Sequence, residues 1–113
     1  MSVVFEYLVR VKEQKSAGYL VLIDPDKQSL ESTPAFADES QSAGVDAFLV
    51  GSSLLISENL DPIIRCIKAN STLPVIISPG ASSHLSRHAD AVLFLSLISG
   101  RNPDFLIGEH VKA

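Results

Sequence analysis

A single cysteine, Cys66, is all the thiol chemistry in the chain. One thiol cannot form an intrachain disulfide, and this fits a reducing compartment, so a cytoplasmic location is expected. Long hydrophobic runs are missing too. The most apolar stretch, residues 91–98, is interrupted by Ser96 and falls far short of the roughly 20 apolar residues that a membrane helix needs. Near the N-terminus Glu6, Arg10 and Lys12 break up any segment that could serve as the core of a signal peptide. Neither absence excludes peripheral contact with membrane lipid. Basic residues are few and scattered: 9 Lys and Arg stand against 13 Asp and Glu, for a net charge of -4. Without a Lys/Arg cluster, the electrostatic footprint of a nucleic-acid-binding surface is absent.

What is present is globular material, 46% hydrophobic and 19% charged. Its 113 residues suffice for a small core, but are only about half of the roughly 250 of a complete (β/α)8 barrel. Four runs, at 19–23, 47–50, 74–77 and 91–97, are apolar without alternation, Ser96 aside. Continuous runs are expected of parallel strands covered on both faces. Helix signals lie around them. Val4, Leu8 and Val11 share one face of an opening helix. Thr33-Pro34 reads as an N-cap before a proline, with Gly44 as the stop. Asp61-Pro62 repeats the device, with Ile63, Ile64 and Ile67 as an apolar stripe, Lys68 in the last turn and Asn70 as the stop. Asn102-Pro103 opens another helix.

The order is α, β-α-β-α-β, a short connection, then β-α. This predicts an α/β fold with a parallel sheet and right-handed crossovers. Residues 78–90 leave little room for a helix between the third and fourth strands, since about a dozen residues is the minimum for a parallel crossover. The chain stops inside the helix begun by Asn102-Pro103, so more sequence is expected C-terminally.

In parallel α/β architectures ligands are met at the C-terminal ends of strands. Asp24-Pro25-Asp26-Lys27, Gly51-Ser52-Ser53, Ser78-Pro79-Gly80 through Ser83, and Ser99-Gly100-Arg101-Asn102 each follow an apolar run. A carboxylate at Asp24 could hold Mg²⁺, which takes hard oxygen ligands and often only one or two carboxylates. The same tetrapeptide is also an ordinary turn, its carboxylates bonding local N–H groups. Gly51-Ser52-Ser53 could offer N–H groups and hydroxyls to an anion or metal, or be a plain strand exit. Arg101 could meet phosphate, or simply be an exposed rim residue. His84 and His88 have helical ligand spacing, yet lack the acidic or Cys partners of a zinc site and read as surface histidines. Cys66 reads as a packing thiol on an apolar helix.

At these same segments the sequence resembles the geranylgeranylglyceryl phosphate synthase family, which includes heptaprenylglyceryl phosphate synthases of PcrB type. The carriers are LIDPDK (22–27), GVDAFLVGSS (44–53), PVIISPG (74–80) and ADAVLFLSLISGRNPDFLIGEHV (89–111). The likeness runs from Tyr19 onward. It implies the N-terminal half of one modified (β/α)8 TIM-barrel domain, residues 1–113, with four parallel strands and the third helix short or absent. It further implies a prenyltransferase of ether phospholipid synthesis, joining sn-glycerol 1-phosphate to a polyprenyl diphosphate, with geranylgeranyl the expected chain. By the same resemblance Asp24 and Ser53 bind Mg²⁺, the cofactor, and association into a homo-oligomer is expected. No catalytic residue is assigned in this stretch, because the family's catalytic glutamate and phosphate-binding Gly-rich loops belong to the second half of the barrel. Some relatives carry a lysine where this chain has Leu22, so that position gets no substrate role.

Two rival readings remain. Another phosphate-handling barrel, such as an aldolase-type lyase, would need a Schiff-base lysine at a strand end, for which Lys27, in the loop, is poorly placed. A half-barrel that folds or associates without catalysis is the other.

Overall fold

The computed structural model describes residues 3–51, 59–80 and 84–93. The chain alternates helix and strand in the order α1 (Val3–Lys15), β1 (Leu20–Ile23), α2 (Thr33–Ser42), β2 (Ala47–Val50), α3 (Leu60–Asn70), β3 (Val75–Ile77) and β4 (Ala91–Val92). The strands form one sheet in the order β1-β2-β3-β4, every pairing parallel. Sequential order of neighbouring parallel strands is the topology of a barrel wall, since each βα unit adds its strand beside the last.

The register explains which residues are core. Ile23 lies opposite Val50 and Val50 opposite Ile77, and Phe48 lies opposite Val75. Side chains alternate along a strand, so these residues share one face. Helices α2 and α3 cover it, with Ala37, Ile63, Ile64 and Ile67 at 0% exposure. Full burial of an isoleucine side chain stabilises by about 1.5–3 kcal/mol, so the α3 stripe is a major contributor. On the other face a smaller cluster joins Val4 of α1 to Ala47 and Ile76, with Leu8 and Leu49 packed beside it.

The expectation that every strand is covered on both faces does not hold for β1. Leu20 and Leu22 are 39% and 60% exposed. Both point to the face away from α2 and α3, where α1 reaches only as far as Ala47 and Ile76.

Helix starts also differ from the sequence reading. The N-cap of α2 is Ser32, not Thr33, and that of α3 is Asn59, not Asp61. Proline misleads by a residue or two for a physical reason. None of the first N–H groups of a helix has an intrahelical acceptor, so proline forfeits no bond anywhere in the first turn. Thr33 is instead fully buried, its hydroxyl donating to the Ser29 carbonyl at 2.7 Å. Asp61 sits in the first turn of α3, where a carboxylate suits the helix dipole.

Gly44 does stop α2. Val45 N–H donates to Ser40 O at 3.1 Å and Gly44 N–H to Gln41 O at 3.2 Å, the paired bonds of a Schellman motif. The glycine carries φ +96°. Helix α3 ends as expected at Asn70, whose side chain donates to Cys66 O at 2.8 Å. Lys68 in its last turn pairs with Asp90 at 2.7 Å, and Asp90 Oδ2 also accepts Val75 N–H.

Between β3 and β4 the described residues contain no helix, in line with the short connection predicted there. Leu93 N–H continues the ladder to Ile77 O at 2.9 Å. The predicted extension of the fourth strand to residue 97 and the helix at Asn102-Pro103 lie outside the described residues.

Candidate functional site

Because Ile23, Val50 and Ile77 are in register across three strands, the residues that follow them come out side by side. Asp24, Gly51 and Ser78 therefore line one rim, neighbours about 5 Å apart by ordinary strand spacing. Gly51 N–H donates to Ile23 O at 3.1 Å and Ser78 N–H to Val50 O at 2.9 Å, so the ladder runs right up to the rim.

Gly51 is where the strand exits come closest. It carries φ +154°, and a Cβ there would lie 3.0 Å from the Ser78 carbonyl carbon and collide with its oxygen. Only glycine tolerates that combination of backbone angle and close approach. The sequence reading valued this glycine for its N–H. Its close approach to β3 was not seen, although a glycine directly after a buried strand is the signal for it.

Asp24 sits at the exit of β1, partly exposed. Its Oδ1 accepts Asp26 N–H at 2.9 Å, and its carbonyl accepts Lys27 N–H and Gln28 N–H at 3.0 and 2.9 Å. The turn reading is thus realised. It does not displace the metal reading, since Oδ2 takes no hydrogen bond among the described residues. A carboxylate fixed through one oxygen and open at the other is a suitable single protein ligand for Mg²⁺, which keeps most of its shell for water and phosphate oxygens. Among the described residues no group of three or more His, Cys, Asp or Glu could hold a metal, so an all-protein cage is not formed there. Ser53 and Arg101 lie outside the described residues.

Lys27 is exposed within the Asp24 turn. A Schiff-base lysine needs a desolvated setting that holds its amine unprotonated, so nothing at this turn favours the lyase alternative. Of His84 and His88, His84 is not on the surface: it is only 9% exposed, and its Nδ1 accepts Gly80 N–H at 2.9 Å. The bond from Gly80 N–H holds the ring in this buried position. His88 is half-buried.

Among the described residues the strongest electrostatic feature lies at the opposite end of the sheet, before β2. Buried Asp46 pairs with Lys15 at 2.6 Å and accepts Tyr19 N–H at 2.8 Å, while Tyr7 donates to its carbonyl at 2.7 Å. The Lys15 hydrogen bond, then the Tyr19 N–H, hold the Asp46 carboxyl below its ordinary value, and Asp46 raises Lys15 in turn. This cluster fastens α1 beneath the sheet and is remote from the rim. Sequence reasoning missed it, because Asp46 stands inside an apolar run without a nearby partner. An open depression lined by Phe5, Glu6, Val9 and Arg10 also lies on α1, away from the strand exits.

Among the described residues no helix is long and apolar enough to cross a membrane. Comparison with known proteins gives one consistent result. A geranylgeranylglyceryl phosphate synthase of Thermococcus gammatolerans is 43% identical over 104 residues, covering 91% of this chain and 41% of that protein. One from Chitinophaga pinensis is 40% identical over 108 residues, covering 96% and 43%. Among solved structures, wild-type GGGPS from Thermoplasma volcanium superposes with a TM-score of 0.85 at 36% identity, covering 99% of this chain and 45% of that one. The (S)-3-O-geranylgeranylglyceryl phosphate synthase of Thermoplasma acidophilum, in complex with sn-glycerol 1-phosphate, gives 0.84 at 34% identity with the same coverage. The four parallel strands are thus the N-terminal part of a TIM-barrel wall, and the chain spans somewhat under half the length of these relatives. The sequence profile of the PcrB family matches residues 9–113, and with these relatives it establishes that the chain belongs to the PcrB family.

Proposed function

We propose that this chain supplies the N-terminal half of a single barrel domain whose complete protein is a Mg²⁺-dependent prenyltransferase. It joins sn-glycerol 1-phosphate to a polyprenyl diphosphate and releases pyrophosphate, a step of ether phospholipid synthesis. The observation that carries this reading is the likeness, at 34% identity, to a synthase structure holding sn-glycerol 1-phosphate. The rim geometry is compatible with it. Cytoplasmic location, peripheral contact with lipid and homo-oligomerisation belong to the same reading.

When bound, Mg²⁺ would neutralise charge on the diphosphate and make it a better leaving group. Asp24 would hold the metal through Oδ2, its orientation set by the Asp26 N–H on Oδ1; Ser53 would add a hydroxyl. Gly51 lets the exits of β2 and β3 approach without side-chain bulk between them. The C3 hydroxyl of the glycerol phosphate attacks the allylic carbon, the C–O bond to diphosphate breaks, and the hydroxyl proton passes to a base. We assign that base to sequence beyond this chain.

The test is a transfer assay on the complete protein with sn-glycerol 1-phosphate and geranylgeranyl diphosphate. Transfer that is abolished by a chelator and restored by Mg²⁺ supports the reading. No transfer with prenyl diphosphates of any length overturns it.

A further inference from the structure

The β3–β4 connection holds a polar group that the mechanism above does not use. Ser78-Pro79-Gly80 leaves the sheet at the rim, and four residues after Gly80 the chain places His84 in a buried position. Gly80 N–H donates to His84 Nδ1 at 2.9 Å. A ring nitrogen that accepts an N–H carries no proton, so the neutral imidazole must carry its proton on Nε2. Among the described residues Nε2–H has no acceptor. Buried donors are nearly always satisfied, and one that is not calls for an explanation. At 9% exposure His84 is not fully enclosed. Its partner Gly80 follows the β3 exit, and Ile77 at the end of β3 is in register with Val50 and, through it, with Ile23.

We infer that His84 is a substrate-binding residue: Gly80 fixes its tautomer, and Nε2–H donates to a phosphate oxygen bound at the β3 exit. The inference rests on the proposed phosphate-bearing substrates. The oxygen belongs either to the glycerol phosphate or to the prenyl diphosphate. A neutral imidazole suits the task, because its donor is fixed in direction and does not depend on the ring being charged. Structural pinning of the loop would explain the Nδ1 bond alone and leave Nε2–H without a purpose.

Two substitutions separate the two ends of the ring. His84→Asn keeps an acceptor near the Nδ1 position and removes the Nε2 donor; His84→Gln keeps a donor near Nε2 and removes the acceptor. In the complete protein His84→Asn is expected to raise the KM of one of the two substrates about tenfold, the size of one lost hydrogen bond, with little change in kcat. Which substrate responds identifies the oxygen. His84→Gln is expected to keep KM closer to that of the unaltered protein while lowering the urea midpoint. Independently, ¹⁵N-histidine spectra of the unaltered protein should show protonated Nε2 and bare Nδ1 at His84. The Nε2 resonance should then move on addition of Mg²⁺ with inorganic pyrophosphate, or of sn-glycerol 1-phosphate. Unchanged KM for both substrates in His84→Asn overturns the inference, as does an Nε2 resonance that neither probe moves. Should His84→Asn fail to fold, the spectra decide alone. Absence of prenyl transfer in the unaltered protein would sink the proposed reaction instead, and the pyrophosphate titration would still judge His84.

Discussion

Two glycines with positive φ offer a controlled experiment on the rim. Gly44 ends α2 at φ +96° with nothing within 4 Å of where a Cβ would stand, whereas Gly51 at φ +154° has the Ser78 carbonyl in that place. Substituting alanine at Gly44 imposes only the backbone penalty of about 1–2 kcal/mol, partly offset by about 0.4–1 kcal/mol from a stiffer unfolded chain. A net loss of roughly 1 kcal/mol follows. Alanine at Gly51 carries the same backbone term and must also push β2 and β3 apart where they leave the sheet. Overpacking of this kind adds about 1–3 kcal/mol. The Ser78 N–H to Val50 O bond is the first to stretch, at about 1 kcal/mol. The total is roughly 3–5 kcal/mol. Urea unfolding of the two variants beside the unaltered protein measures both losses. Gly51→Ala should also lower kcat/KM, since a displacement of about 1 Å near reacting groups can reduce a rate by about 100-fold. Equal losses of stability at the two positions would refute the steric argument.

Further outcomes are expected elsewhere in the molecule. In the complete protein, Asp24→Asn should lower kcat by roughly 100-fold or more through loss of the charged metal ligand, and Ser53→Ala by less, since water can replace a neutral hydroxyl. Steady-state kinetics across a Mg²⁺ series checks this, and full activity of Asp24→Asn at ordinary Mg²⁺ would exclude the assignment. Asp46 makes stability depend on acid. Its folded carboxyl titrates below the ordinary 3.8, so its contribution is complete above that value and fades as pH falls through the lower one. Lys15 runs the other way: its contribution is present below 10.5 and is lost as pH rises through the raised folded value. Thermal melts from pH 2 to 5 should flatten in Asp46→Asn, and an unchanged acid slope would count against the ion pair. The 113 residues produced alone should show no transferase activity and should self-associate, because Leu20 and Leu22 expose an apolar face on β1. A stable monomer in sedimentation would contradict this.

The strands were legible to within a residue or so where they fall among the described residues, because both faces of β2 and β3 are apolar and their runs are bounded by polar turns. Helix stops were legible through Gly44 and Asn70. Helix starts were not, because proline fits several positions of a first turn equally well. The rim was legible as a set of strand exits, and Asp24 was placed there by its position alone. What pattern could not show was pairing at a distance. Asp46 meets Lys15 and Tyr7 across 31 and 39 residues of sequence, and no local signal marks either partner. The burial of His84 is not legible for a related reason: its acceptor role depends on a bond from Gly80 N–H that spacing alone does not reveal.

The two apolar clusters are unequal, and the inequality sets an order of opening. The sheet, α2 and α3 share the larger core around Phe48 and Ile63, while α1 holds on through Val4 and Leu8 and through its bonds to Asp46. Cooperative units open in order of the contacts they would lose. Among the described elements, helix α1 is therefore the one expected to detach first, baring Ala47 and Ile76 while β1–β3 remain paired. Slow amide exchange is expected at β2 and α3 and faster exchange at α1, the signature of a partly open state in which the strand exits keep their arrangement after the opposite end has let go.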